Sequence, residues 1–274
     1  MKNRLKVSVL SLLLSVSFLS HAESLTFGIV PQQSAQKLAS LWTPIFNYLS
    51  AKTGDEIKFA TANDIPTFEK RLLVGGYDVA YMNPYHFTVF NQTPGYHAIA
   101  KQADQLLKGI IVVKKDSPIQ SLKELDGMKL AFPSPAAFAA TVIPQAQMEL
   151  DNIKIEPQYV SSHDSVYMGV ARGFFTAGGG VKRTFDNTDP AIKDQLRILW
   201  TSLGYTPHAF AVHPRVSEAA KLRLQKAMIE MRSDPEGMAL LETIKFKGID
   251  AAADSDWEDV RSLKIKHLDH LLKP

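Results

Sequence analysis

No cysteine occurs anywhere in this 274-residue chain. That excludes disulfides, cysteine-based zinc sites and an acyl anchor on an N-terminal cysteine, so stability must come from a packed interior. With 45% hydrophobic residues the chain can build one. Long apolar runs are also missing. The run from Val7 to Leu19 is diluted by serines and falls well short of the roughly 20 residues a membrane-spanning helix needs. Nor is there a block of one charge. The chain holds 31 basic and 28 acidic residues, and Lys2, Arg4 and Lys6 account for the whole difference. The sequence pI of about 8.9 therefore belongs to the first segment. A balanced remainder without a lysine or arginine run argues against nucleic acid as partner.

Signatures of chemistry are scarce as well. The eight histidines include no H-x-x-x-H or H-E-x-x-H pair, and no G-x-S-x-G elbow is present. The run Ala177-Gly-Gly-Gly-Val-Lys-Arg183 lacks the spacing of a phosphate loop and is read as small residues that permit close packing. No enzyme, metal or cofactor is expected. Capture of a small molecule fits the pattern better.

The N-terminus indicates a compartment. Lys2, Arg4 and Lys6, the apolar Val7 to Leu19, and Ser20-His21-Ala22 have the three-part form of a secretory signal. Residues 1–22 are expected to be removed, leaving Glu23 first. A soluble capture protein without a lipid anchor has to be retained by a second membrane, so the periplasm of a Gram-negative cell is expected, with secretion to the medium as the alternative.

Beyond the signal, strand and helix patterns alternate. Leu25 to Val30 reads as a strand, Ala35 to Ala51 as a helix stopped by Gly54, Ile57 to Thr61 as a strand, Thr67 to Val74 as a helix, and Asp78 to Met82 as a strand. His97 to Lys101 and Gly109 to Lys114 follow as two strands without a helix between them. Alternation restarts with strand Lys129 to Phe132, helix Ala136 to Leu150, strand Pro157 to Ser161, helix Asp164 to Arg172 and strand Ala177 to Val181. Arg197 to Ser202 and His208 to His213 form a second extended crossing, and a helical tail begins at Ser217. The reading is α/β with two lobes, residues 23–108 plus 205–274 and residues 109–204. Each lobe is expected to be a mostly parallel sheet flanked by helices, joined by two extended crossovers with a ligand cleft between them.

Several segments in this order resemble one known family. Gly28-Ile-Val-Pro31, Asp78-Val-Ala-Tyr-Met-Asn-Pro84, Gly109-Ile-Ile-Val-Val-Lys114, Ser121-Leu-Lys-Glu-Leu-Asp-Gly127 and Ser162-His-Asp-Ser-Val166 are similar to periplasmic phosphate/phosphonate-type solute-binding proteins of ABC importers. The resemblance implies the two-lobed type II periplasmic binding fold and a monomer that closes on a small anionic or organic solute. It also implies presentation of the closed form to a membrane permease. An alternative partner is a membrane-bound sensor kinase or cyclic-dinucleotide enzyme. In the family a Pro-Gly-Ser-Thr-Ser-Gly-like loop holds the anion. Here its three hydroxyl positions fall on Ala137, Phe138 and Ala139, which should weaken phosphonate binding, because each lost charge-assisted hydrogen bond is worth roughly 1.5–3 kcal/mol.

The expected ligand-binding residues follow from both readings. Ser134 is expected to cap a helix so that the amides of Ala136, Ala137 and Phe138 face the cleft. Tyr81, Asn83 and Tyr85 stand at the exit of a strand, where clefts of open sheets form, and Tyr205 stands on the return crossing. His163 matches a ligand-contacting histidine of the family. The rings of Tyr81, Tyr85, Phe138 and Tyr205 suggest an organic body on the ligand.

Overall fold

The computed structural model describes residues 22–272. The signal segment lies outside the described residues, Ala22 excepted. The chain opens with β1 (Ser24–Ile29), α1 (Ala35–Thr53), β2 (Glu56–Ala60), α2 (Ile65–Leu73), β3 (Val79–Met82) and α3 (Pro84–Phe90). Local chemistry sets these boundaries. The Ser34 hydroxyl accepts from the Lys37 amide at the start of α1, and Gly54 ends the helix at a left-handed φ of 76°. Asp64 accepts from the Thr67 amide before α2. Asn83 accepts from the His86 amide before α3, with Pro84 in the first helical position.

Strands β4 (His97–Gln102) and β5 (Gly109–Lys114) follow, then β6 (Lys129–Phe132), α4 (Ile143–Leu150), β7 (Glu156–Tyr159), α5 (His163–Ala171) and β8 (Ala177–Val181). Next come α6 (Lys182–Asp186), α7 (Pro190–Lys193), β9 (Leu196–Thr201) and β10 (Ala209–Val212). The chain ends in α8 (Glu218–Glu230), α9 (Pro235–Thr243), β11 (Ile249–Ala251) and α10 (Glu258–Arg261).

Two sheets result. The larger has the order β11-β4-β10-β3-β1-β2 and the smaller β7-β6-β8-β5-β9. Their pairing is mixed rather than mostly parallel. β1 runs parallel to β2 and β3, while β10 is antiparallel to β3 and β4, and β11 to β4. In the smaller sheet β6 runs parallel to β7 and β8, and β5 is antiparallel to β8 and β9. Parallel neighbours need a helical crossover. The segments that pass between the sheets have none, and their direction is set by where they enter.

Those two passages lie side by side. Leu107 and Tyr205 form an antiparallel bridge, with N–H···O distances of 2.8 and 3.0 Å in the two directions.

The interior follows from strand periodicity. Along β5, Ile111 and Val113 enter one apolar cluster with Leu125, Leu130 and Phe132, while Ile110 and Val112 enter another with Val166, Tyr167 and Val170. Alternate residues face opposite sides of a strand, so a continuous apolar run is needed where helices cover both. Around the larger sheet an aromatic core forms, with Phe27 stacked on Phe46 at 4.6 Å and Trp42 at 5.1 Å from Tyr81.

One ionic group anchors the edge of the larger sheet. The buried Asp55 accepts from the Glu23 amide at 2.9 Å and from Arg223 Nη2 at 2.6 Å. Asp55→Ala is expected to cost about 2–3 kcal/mol, the range for loss of charge-assisted hydrogen bonds in a buried setting. A lower urea midpoint at unchanged m value is the measurement that checks it.

Candidate functional site

The carboxyl ends of β1 and β3 face the segment after β6, the start of α5 and the start of α6, and hydrogen bonds join the two sides. Gln32, just beyond β1, accepts from the His163 amide through its backbone oxygen at 2.8 Å and from Arg183 Nη2 through Oε1 at 2.6 Å. Asn83, beyond β3, donates from Nδ2 to the Ala136 carbonyl at 3.3 Å. The Ser34 amide donates to Asp164 Oδ2 at 3.3 Å. Burial raises the Asp164 carboxyl above the usual range, offset in part by the Ser34 amide and the Gln33 side chain.

Between these contacts lies a cavity of only about 10 Å³, lined by Gln32, Asn83, Ala137, Phe138, His163 and His208 among others. One water needs roughly 10–15 Å³ measured in this way. The two sides are shut on each other, and Ala137 and Phe138 fill the seam.

The segment before α4 differs from the expectation. Ser134 does not cap a helix: its Oγ is buried without a hydrogen-bond partner among the described residues, and its backbone oxygen takes the Ala137 amide at 3.3 Å. A π-type turn, Phe138–Val142, comes first, and α4 proper begins only at Ile143. The cause is close packing on glycine. A Cβ on Gly179 would lie 2.0 Å from the Ala140 carbonyl oxygen, and one on Gly109 would lie 2.0 Å from that of Ala139. The turn therefore rests on bare backbone of β8 and β5. The Ala137 amide is used within this turn and is not presented to the cleft.

His163 lies at the seam but is almost completely buried. Its Nδ1 pairs with Thr184 Oγ1 at 2.9 Å, and Thr184 also meets the Tyr167 hydroxyl at 2.9 Å and donates to the Val181 carbonyl at 2.9 Å. Burial, assisted by the Arg183 charge, pushes the His163 imidazole down to about 3. The ring is neutral at ordinary pH. Through Thr184 it holds the first turn of α6, which carries Arg183.

The aromatic residues separate into two groups. Tyr81 is buried and stacked on His208 with centroids 4.9 Å apart and planes 19° apart. Tyr205 meets the edge of Phe138 at 5.2 Å and 81°. Tyr85 lies elsewhere: its hydroxyl accepts from the Leu268 amide at 2.8 Å, and its ring lines a separate cavity of about 490 Å³ with Val260 and Arg261. A helix turns about 100° per residue, so starting α3 at Pro84 directs Asn83 and Tyr85 to different sides. Tyr85 is thus corrected from a cleft residue to a packing residue of the C-terminal segment.

Four residues not singled out from the sequence belong to the seam: Gln32, Arg183, Thr184 and His208. Arg183 closes the small-residue run from Ala177, whose sequence signals only close packing, and Thr184 follows it. His208 sits alone before β10 with no motif around it. Its Nε2 is buried and has no hydrogen-bond partner among the described residues, and burial together with Arg183 holds its pKa well below the ordinary histidine value.

Comparison with known proteins gives a consistent answer. The family model described as "ABC transporter, phosphonate, periplasmic substrate-binding protein" matches residues 27–257. A phosphonates-binding periplasmic protein of Escherichia coli K12 is 22% identical over 272 residues, covering 93% of this chain and 80% of that protein. Among solved structures, a binding-protein component of an ABC phosphonate transporter from Pseudomonas aeruginosa superposes with a TM-score of 0.82 at 18% identity. It covers 89% of this chain and 86% of its own. A protein from Prochlorococcus marinus in complex with methylphosphonate gives 0.80 at 17% identity, covering 92% and 99%.

Proposed function

This chain belongs to the family of periplasmic substrate-binding proteins of phosphonate ABC transporters, and from that premise we propose that it captures a small anionic solute by closing two lobes. The lobes are residues 23–108 plus 205–274 and residues 109–204, with the hinge where Leu107 and Tyr205 pair. Residues 1–22 act as a cleaved export signal, and the mature protein works as a periplasmic monomer that offers its closed form to the membrane permease. Family membership supports transport, and no feature of the seam favours the sensor alternative.

The observation that carries the reading is the set of hydrogen bonds that join Gln32, Ser34 and Asn83 to the opposite side, with Gln32 accepting and the other two donating. They are available only when the lobes are shut. A solute that touches both sides adds to them and shifts the population from open to closed by its differential affinity for the two states.

Small-angle scattering and thermal melting of the mature protein with phosphonates, phosphate, carboxylates, amino acids and amines test the proposal. At least one solute is expected to compact the protein and raise its Tm, since a ligand of the folded state alone stabilises it. No response to any of them would sink solute capture. His163→Ala is expected to weaken the affinity about tenfold, or about 1.4 kcal/mol, by releasing α6 and Arg183, with partial rescue in His163→Gln. Unchanged affinity in calorimetry would remove His163 from the site.

A further inference from the structure

The seam has a second opening on the hinge side, next to the nearly filled one. This cavity, of about 80 Å³, shares His208 and Val181 with the smaller one. It is several times the space that one water needs, and so offers room for a small oxyanion that the apolar turn at Ala137 and Phe138 does not. Both sides of the molecule contribute to it. Tyr81, Lys245 and His208 come from the side of the larger sheet, and Lys182 and Arg183 from the end of β8, while Lys108 stands at the hinge.

Its charge is predominantly positive, with Lys108, Lys182, Arg183 and Lys245 lining it against the carboxylate of Asp186. Lys182 is neutralised by Asp186 at 2.6 Å. Among the described residues Arg183, Lys108 and Lys245 have no carboxylate within ion-pair distance, and Arg183 is bonded to the neutral Gln32. Gln102, Gln105 and Tyr81 also line the cavity, and the His208 ring, 2% exposed, carries an Nε2 with no hydrogen-bond partner among the described residues. A buried polar nitrogen left unpaired is destabilising, and in the tautomer that carries the proton on Nε2 it would pair with an anion. Guanidinium and ammonium groups converging from two sides of a hinge match a phosphonate or phosphate head, because arginine offers forked donors and lysine a point charge.

We infer that the anion site has moved from the hydroxyl-poor turn to this hinge-side cavity, where Arg183, Lys245 and the His208 Nε2–H bind the head of a phosphonate- or phosphate-like ligand. The inference rests on the capture reading above and specifies its ligand class and position. The Tyr81 ring, stacked on His208, forms an apolar wall for whatever the anionic head carries. Closure then brings Arg183 and Lys245 to one anion, and the anion supplies the counter-charge that Asp186, paired with Lys182, does not give them.

Calorimetry with methylphosphonate and inorganic phosphate tests the assignment, at two salt concentrations. The wild-type protein is expected to bind at least one of them, more weakly at high salt. Arg183→Gln is expected to reduce affinity at least 30-fold and the exposed Lys245→Gln about 3- to 10-fold. Both variants should retain the wild-type far-ultraviolet circular dichroism. The His208 ring Nε2–H resonance should shift on adding the bound anion. Binding that survives both substitutions within twofold, with the His208 resonance unmoved, would overturn the cavity assignment and leave solute capture standing. Binding of neither anion would overturn the assignment as well, while compaction by a different solute in the scattering experiment would still support capture.

Discussion

Gly179→Val is expected to abolish soluble expression, or to lower Tm by at least 10 °C where protein is recovered. The first atom of the new side chain would sit 2.0 Å from the Ala140 carbonyl oxygen and 2.6 Å from the Phe132 ring. A flexible side chain could swing away, but a backbone carbonyl inside a packed turn cannot. Interiors are close-packed and transmit such strain, and overpacking against backbone belongs with the rare substitutions that cost more than about 4 kcal/mol. For a domain of this size roughly 2–4 °C of Tm corresponds to 1 kcal/mol. Gly179→Ala already introduces the clash and should lose more than half as much. Melting followed by circular dichroism is the check, and a Gly179→Ala protein melting within 2 °C of wild type would show that the turn does not rest on β8. The same substitution should open the seam, because displacing Ala140 moves Ala137 and Phe138, which close it.

Why some of this could be read from the sequence and some could not is visible in particular residues. The bounds of β5, β6 and β8 match the apolar or small-residue runs Gly109 to Lys114, Lys129 to Phe132 and Ala177 to Val181. Such strands are covered on both faces, so nothing polar interrupts the pattern. β11 is only three residues long and exists because β4 offers it an edge, which no local signal records. Ser134 followed by Pro135 has the form of a helix start, yet tertiary contact with two glycines forces a π-type turn instead. The family resemblance rested on ordered segments, and the family match over residues 27–257 agrees with it. The cavity residues were hidden for another reason. Lys108, Arg183, His208 and Lys245 are spread over about half the chain, and only the tertiary fold brings them to one cavity. Spacing in sequence has no power to reveal a site of that kind.

Acidification from pH 7.5 to 4.5 is expected to remove about 3 kcal/mol or more of folding stability, through imidazoles that the fold keeps neutral. The His163 ring is held near pH 3 by burial first and the Arg183 charge second, whereas the unfolded chain protonates it near 6.5. Below 6.5 the unfolded state therefore binds a proton that the folded state refuses, and stability falls as pH falls. The slope is about 1.4 kcal/mol per pH unit until the folded value is reached. His208 acts in the same direction, for burial lowers it and Arg183, His86 and His163 all face it with positive or potentially positive charge. Asp164 opposes them, since burial raises its carboxyl and the folded state gains a proton near the acid end. Asp234, held down to about 2 by Lys52 and Tyr48, contributes stability that is lost only below the unfolded value near 4. The histidines accordingly dominate between pH 6.5 and 4.5. Urea midpoints measured across that window should decline, and His163→Gln, although less stable at pH 7.5, should decline less steeply. A midpoint that stays constant over the window, or a slope untouched by replacing either His163 or His208 with Gln, would mean that these rings are hydrated in solution and that the seam is not shut. Protonation of His208 would also place a cation beside Arg183 without a counter-charge. Bound phosphate or methylphosphonate should therefore flatten the acid decline, and that ties the stability profile to the anion site by a measurement independent of affinity.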